Sequence, residues 1–179
     1  MVVDMLCWLR FGKRFKYVST ECGEFNADVL GSDGKQLIEI EVKVSKADFL
    51  ADFRNKAKHN VYANPQTTSW PEWIPHKFYI IVPPNLADFA KDFLAMNYPR
   101  YGLIVMSEQF ERGMYYKPES HVLVKAAALH REPVPPKVLN GLLMRMSSEI
   151  CGLRIWNQAA RSLRDSLLHI QAQKDIDAD

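Results

Sequence analysis

The sequence lacks most of the features that reveal a function at once. Its three cysteines, Cys7, Cys22 and Cys151, include no CxxC pair, and its five histidines show neither HxH nor HxxxH spacing. Zinc chemistry, which needs clustered thiolates or imidazoles, therefore has no support. An odd number of cysteines cannot all pair within one chain, so a reduced, cytoplasmic protein is expected. No glycine-rich phosphate loop and no Ser-His-Asp order are present, which removes the support for those enzyme classes. No apolar run approaches the roughly 18 to 20 residues that span a bilayer, and a membrane protein is not expected. The apolar opening Met1–Leu9 has no basic residues ahead of it and runs into Arg10, Lys13, Arg14 and Lys16, unlike a secretion signal. An excess of one charge is missing too. With 23 Lys and Arg against 21 Asp and Glu, net +2, any polyanion partner has to be met by a local basic patch.

What is present suits a globular domain: 179 residues, 47% hydrophobic, enough for one core. A short helix is expected in the first dozen residues, then strands over Tyr17–Phe25 and Ala27–Gly31, with Ser32-Asp33-Gly34-Lys35 as the turn into the next strand. In Gln36–Val44, Ile38, Ile40, Val42 and Val44 alternate with Leu37, Glu39, Glu41 and Lys43. Side chains on a strand alternate faces, so the three charges share one face and the other is buried. Ser45 with Asp48 reads as a helix cap, and Ala47, Leu50, Phe53 and Ala57 give a helical stripe through about His59. Lys77–Val82 and Tyr101–Met106 read as buried strands joined by a helix that Asn85 can cap and that runs through about Met96, a parallel unit. Weaker strands are expected at Gly113–Tyr116 and His121–Lys125. Pro133, Pro135 and Pro136 separate a core of residues 1–132 from a helical extension, 133–179, with a break near Gly152.

The chemistry rests on Asp28, Glu41 and Lys43. An even turn sets Asp28 opposite Glu39 or Glu41 on one face, and a one-residue slip sends it to the other. Clustered carboxylates repel unless a cation fills the gap, and all-oxygen ligation with room for water suits Mg²⁺. A lysine beside them can orient or deprotonate a water, or neutralise charge on a phosphate.

Asp28, then Glu41-Val42-Lys43 on the following strand, then Ser45 opening a helix, resembles the PD-(D/E)XK nuclease superfamily, with a spacing similar to Holliday-junction resolvases. The longer run Ala27-Asp28-Val29-Leu30 through Glu41–Phe49 and Ala51-Asp52, with Phe78-Tyr79, Val82-Pro83 and Tyr101–Val105 beyond, resembles the MmcB-like DNA repair proteins. The resemblance covers roughly residues 17 to 106, and Ala27 stands where the superfamily often has proline. It implies an α/β restriction-endonuclease-like core, a mixed central sheet flanked by helices in α-β-β-β-α-β-α-β order with the C-terminal helical extension. It also implies a Mg²⁺-dependent deoxyribonuclease, with Mn²⁺ able to substitute, that cuts DNA in repair, recombination or phage-related processing. Asp28 and Glu41 would be the metal ligands and Lys43 the catalytic cation. Glu39, Glu24, Glu21 and Asp4 are candidates for a further acid.

Blander readings stand beside these. The charged strand face is otherwise a solvated surface with cross-strand Glu–Lys pairs. Arg54, Lys56, Lys58 and His59 form either a phosphate-facing side of the helix or its wet face. Arg54, Lys58, Lys46, Lys13 and Arg14 are the expected DNA contacts. Trp70 and Trp73 either stack on bases or pin a loop, and Cys7 and Cys151 belong to apolar helical patterns. The alternative function is a catalytically silent protein of the same fold that binds DNA or a protein partner. If a junction is the substrate, two centres are needed and a homodimer through the C-terminal helices is expected.

Overall fold

In a computed structural model the described residues are 1–22, 26–63, 74–106 and 120–177. They form an α/β structure around one six-stranded mixed sheet, strand order β1-β2-β3-β4-β5-β6. Helix α1 (Val2–Cys7) continues as a π-helical turn, Trp8–Gly12, and leads into β1 (Tyr17–Cys22), β2 (Ala27–Ser32) and β3 (Leu37–Val42). Next come α2 (Lys46–Asn55), α3 (Lys58–Ala63), β4 (Lys77–Val82), a 3₁₀ turn, α4 (Ala87–Asn97), β5 (Gly102–Met106), β6 (Ser120–Val124) and α5 (Pro136–Asp177). β1, β2 and β3 pair antiparallel, β3, β4 and β5 parallel, and β6 antiparallel to β5.

Local chemistry explains the turns that set the register. In the β2–β3 turn Asp33 Oδ1 accepts from the Lys35 and Gln36 amides and Gly34 takes φ +95°, which side-chained residues rarely adopt. Val29 then pairs with Ile40 and Leu30 with Glu39, so the next step of the ladder sets Asp28 across from Glu41. Ser45 caps α2 as expected, its Oγ accepting from the Asp48 amide at 3.1 Å. The return arm runs from the Val44 amide to Asp48 Oδ2, one residue before the Ser45 amide that a full capping box would use. The helix after the 3₁₀ turn begins at Ala87 without a side-chain cap, so Asn85 does not perform the expected role.

Each sheet face has its own core. Met5 and Leu9 pack on Val29, Ile38, Ile40, Tyr79, Ile81 and Ile104. On the other face Phe49, Val61, Tyr62, Ala90 and Leu94 pack on Phe78, Ile80, Val82 and Leu103. Right-handed crossovers between strands added in one direction place α2, α3 and α4 on a single face. The α1 turn approaches β2 so closely that a Cβ on Gly31 would lie 2.8 Å from Leu9 Cδ1.

Three expectations need correction. The helix read through His59 stops at Asn55: Lys56 is extended (φ −100°, ψ 108°) and a second helix starts at Lys58. Two C-terminal helices with a break near Gly152 are one helix of 42 residues, since a glycine lowers helix propensity by only about 1 kcal/mol. Cys151 is exposed and not in a core. The chain divides into compact units Met1–Leu143 and Met144–Asp179. In the first, Val138 and Leu142 of α5 pack with Leu30, Leu37 and Val134. In the second, Ile150, Leu153, Ile155, Trp156, Leu163 and Leu167 are exposed. The expected strand at Gly113–Tyr116, and Trp70 and Trp73, lie outside the described residues. Among the described residues no helix is long and apolar enough to cross a membrane.

Candidate active site

The charged face of β3 is not solvated. Glu39 and Glu41 are both 0% exposed and Lys43, just beyond the strand, 4%, because α2 and α3 close over them. The break at Lys56 does the closing: it turns Lys56, Lys58 and His59 inward, where a continuous helix would have carried part of that run along its outer side. Lys58, expected to face DNA, is 7% exposed, with its ammonium on Glu39 Oε1 at 2.6 Å and on Glu41 Oε1.

Glu41 is the hub. Its Oε2 accepts from Lys43 Nζ at 2.8 Å and from Lys56 Nζ at 2.7 Å, while Oε1 accepts from Lys58. Burial pushes its carboxyl pKa up, yet Lys58, Lys43 and Lys56 outweigh that and Asp52's charge, holding it below the usual range. Asp28 is half-buried, and its Oδ2 accepts from the Val42 amide at 2.7 Å. Burial, then the charge of Glu41, raise its pKa above normal, the mark of two carboxylates near one another without full compensation. Glu39 accepts from Tyr62 Oη at 2.7 Å as well as from Lys58. Burial dominates there and its pKa rises to about 7 despite Lys58.

Asp52 and Tyr101, to which the sequence reading gave no role in the site, complete the cluster together with Lys56 and His59, which it read as a phosphate-facing or wet side of the helix. Asp52 Oδ1 accepts from Lys43 at 2.7 Å and from Lys56 at 2.8 Å, and its Oδ2 lies 2.7 Å from His59 Nε2. His59 Nδ1 lies 3.2 Å from Tyr101 Oη. Although burial opposes ionisation, bonds from His59, Lys43 and Lys56 hold the Asp52 carboxyl far below the usual range. Burial lowers the His59 pKa more than Asp52 raises it, and burial raises that of Tyr101. The network therefore assigns a neutral imidazole with Nε2–H donating to Asp52 and a phenol donating to Nδ1. A signal existed for part of it: Asp52 and Lys56 stand at i and i+4, one turn apart at the end of α2, whereas His59 lies beyond the break.

The other candidates fall elsewhere. Asp4 is buried on α1, whose neighbours Met5 and Leu9 pack on the opposite sheet face, so it does not join Glu41. Glu21 is exposed at the far end of β1 with φ +46°, and Glu24 lies outside the described residues. Arg54 and Lys46 are exposed on α2, with the Lys46 ammonium 4.4 Å from the Phe89 ring centre. Lys13 and Arg14 are exposed after the α1 turn, on the segment that serves the other face. His76 and His130 stack 4.3 Å apart, but all four ring nitrogens are bonded to backbone groups.

Among the described residues no three or more His, Cys, Asp or Glu side chains are arranged to hold a metal. Mg²⁺ does not require three: it is held by one or two carboxylates, its own waters and substrate phosphates. Asp28 and Glu41, set across one ladder step with the charge of Glu41 only partly offset at Asp28 by Lys43 and Lys56, fit that smaller donor set in kind, both Glu41 oxygens being held by lysine ammonium groups in a metal's place. No family model and no curated protein matches the chain. A solved structure of SPO1766, a protein of unknown function from Silicibacter pomeroyi, is 14% identical with a TM-score of 0.42. That match covers 70% of this chain and 65% of the other, so the chain spans just under two thirds of that protein's length.

Proposed function

We propose that the protein is a Mg²⁺-dependent deoxyribonuclease of the PD-(D/E)XK type, built on a restriction-endonuclease-like core and acting in DNA repair, recombination or phage-related processing. The observation that carries the reading is the grouping of Asp28, Glu41 and Lys43 on one buried sheet face, at the carboxyl end of a strand that starts a parallel run. Ligand sites of open α/β sheets lie at that end. Stability does not call for such a group, because apolar side chains in place of a buried ion-pair cluster are often neutral or stabilising. Ionisable groups shifted this far mark functional sites.

The residues then have separate tasks. Asp28, its Oδ2 oriented by the Val42 amide, and Glu41 hold the metal. When bound, the ion supplies an activated water and neutralises charge on the phosphate. Lys43 stays protonated, since burial is outweighed by Glu41 and Asp52 and its pKa is raised. It therefore acts on the phosphate as a fixed cation, not as a base. Arg54 and Lys46 on the exposed side of α2 are the remaining candidates for DNA contact. The exposed apolar residues after Met144 suit the pairing of two chains that a junction substrate would require.

Plasmid, single-stranded and branched DNA incubated with Mg²⁺ or Mn²⁺, and with EDTA, test the proposal. Cleavage that EDTA abolishes and that Asp28→Asn loses is the expected result; intact DNA under all conditions overturns it. A second reading, a silent DNA- or protein-binding relative, draws on the fact that both Glu41 oxygens are already occupied by ammonium groups. Metal-independent DNA binding without cleavage would select it.

A further inference from the structure

Lys43 carries four rotatable carbons, and a lysine left to itself loses roughly 1.5 to 2 kcal/mol of side-chain entropy when it is fixed. Two carboxylates fix it here. One, Glu41, comes from its own strand and the other, Asp52, from the middle of α2. Asp52 is in turn held from behind: His59 on α3 takes its second oxygen, and Tyr101, at the start of β5, takes the other ring nitrogen of His59. All three side chains are buried, and Phe53, 4.4 Å from the imidazole in ring-centre distance, and Phe78, at 5.5 Å, wall off the ring. The chain of bonds thus runs from a rigid strand end through two helices to the lysine.

We propose that Asp52, backed by His59 and Tyr101, is a positioning residue that fixes the place of the Lys43 ammonium beside Glu41. The role rests on the nuclease reading of Lys43 only for its catalytic consequence, because the placement itself can be observed without DNA or metal. Geometry favours it over a mere strut. A strut between α2 and α3 needs only one of Asp52's oxygens, whereas here the oxygen facing away from His59 meets the lysine that the motif supplies.

Two measurements test this on the full-length chain. In ¹⁵N spectra of the metal-free protein, the Lys43 ammonium, assigned by its loss in Lys43→Arg, gives a slowly exchanging signal. Asp52→Asn and His59→Leu should broaden or lose it. His59→Gln, whose amide nitrogen stands near the position of Nε2 and can still donate to Asp52, should keep it. In cleavage assays Asp52→Asn and His59→Leu should lower kcat about 10- to 100-fold, with the Kd for DNA in Ca²⁺ within about twofold. His59→Gln should recover most of that loss. Should Asp52→Asn fail to fold, the His59→Gln and His59→Leu pair carries the same contrast. An unchanged Lys43 signal in Asp52→Asn or His59→Leu overturns the inference whether or not the wild type cuts DNA. Wild-type cleavage with no loss in these variants overturns its catalytic consequence and leaves the nuclease reading standing. Absence of wild-type cleavage ends that reading while the spectra still decide the positioning.

Discussion

The two faces of the central sheet are made by the same strands, yet they are buried by different means. Under α1 the face is a hydrocarbon surface of Val29, Ile38, Ile40, Tyr79, Ile81 and Ile104. Under α2 and α3, one residue out of phase, the same strand β3 presents Glu39 and Glu41, covered by Lys43, Lys56 and Lys58. Removing apolar area from water stabilises the first by about 25 cal/mol per Å². The second must offset the desolvation of every charge with pairing geometry, and at best breaks even. Beside the apolar core that Phe49, Phe78, Ile80 and Leu103 form on that same face, the ionic stretch at β3 adds nothing in stability that apolar side chains would not supply. On the proposed nuclease reading this ionic stretch serves chemistry; its parts are interdependent, while the face under α1 tolerates volume-conserving exchange.

The largest effect expected on the ionic face is on rate. Lys43→Ala should lower cleavage on the order of a thousand-fold while DNA affinity in Ca²⁺ changes within a few-fold, because the cation acts on charge that develops in the transition state. Single-turnover cleavage and fluorescence anisotropy check the two halves. Near-wild-type cleavage by a protein that EDTA still inhibits would remove Lys43 from the chemistry. Lys58→Met shows the contrast in stability. It leaves Glu39 and Glu41 sharing a buried site with one cation fewer, at a cost of about 3 to 5 kcal/mol. Ile40→Ala on the opposite face should cost a similar amount, about 2 to 5 kcal/mol, by opening a cavity. Denaturant unfolding at two pH values separates them: lowering the pH from 8 to 5.5 lets Glu39 take up a proton and should restore part of the Lys58→Met loss and none of the Ile40→Ala loss.

The alternation along β3, the β2–β3 turn and the Ser45 cap were legible in the sequence because each is decided within a few residues; the register was left open there, and the ladder sets Asp28 across from Glu41. Strand period, turn chemistry and one hydroxyl suffice, and together they bring Asp28, Glu41 and Lys43 to one face. The break at Lys56 was not legible. No glycine or proline marks it; what ends the helix is that Lys56 and Lys58, downstream of Phe53, find buried carboxylates supplied by β3 and by Asp52, and the neutral His59 ring finds its acceptor in Asp52. Lys58 therefore changes from an expected phosphate contact to the counter-ion of Glu39. The same long-range pairing reverses an expectation that follows from carboxylate repulsion alone. Glu41→Ala removes one of the two carboxylate partners of each of three ammonium groups and should destabilise the metal-free protein. Asp28→Asn, which removes a poorly compensated charge and keeps an acceptor for the Val42 amide, should not.

Glu39 gives the ionic face a pH dependence that the apolar face lacks. Its folded pKa of about 7 stands above the ordinary 4.5, burial being the main cause. Between those values the native state binds more protons than the unfolded state, so this group's contribution to stability falls as the pH rises from about 4.5 to about 7 and is constant beyond. Asp52 and Glu41 act in the opposite sense, losing their stabilisation only as the pH falls through the acid range. Glu39→Gln removes the first slope and leaves the second. The stability of the variant relative to wild type should therefore increase by about 3 kcal/mol from pH 4.5 to pH 8, measured by urea unfolding at each pH. A constant difference would mean that Glu39 ionises normally and that Lys58 compensates it fully.

The smallest effects belong to the outer side of α2, which is set apart from both faces by being wet. Arg54 is exposed and, among the described residues, bonds to the Leu50 carbonyl of its own helix, and Lys46 lies over the Phe89 ring with its charge in solvent. Alanine at either position should shift folding stability by no more than about 0.5 kcal/mol, since neither leaves a buried group without a partner. The proposed function gives them a contribution to DNA binding through counter-ion release. Removing both phosphate-neutralising cations should flatten the dependence of log K on log salt by about 1.8, about 0.9 for each, with no sequence preference. Anisotropy titrations in Ca²⁺ from about 50 to 200 mM salt, for wild type and the Arg54→Ala, Lys46→Ala double variant, measure that slope. A slope that stays the same moves the DNA path away from α2, and with it the premise that substrate crosses the helix whose Asp52 reaches back to Lys43.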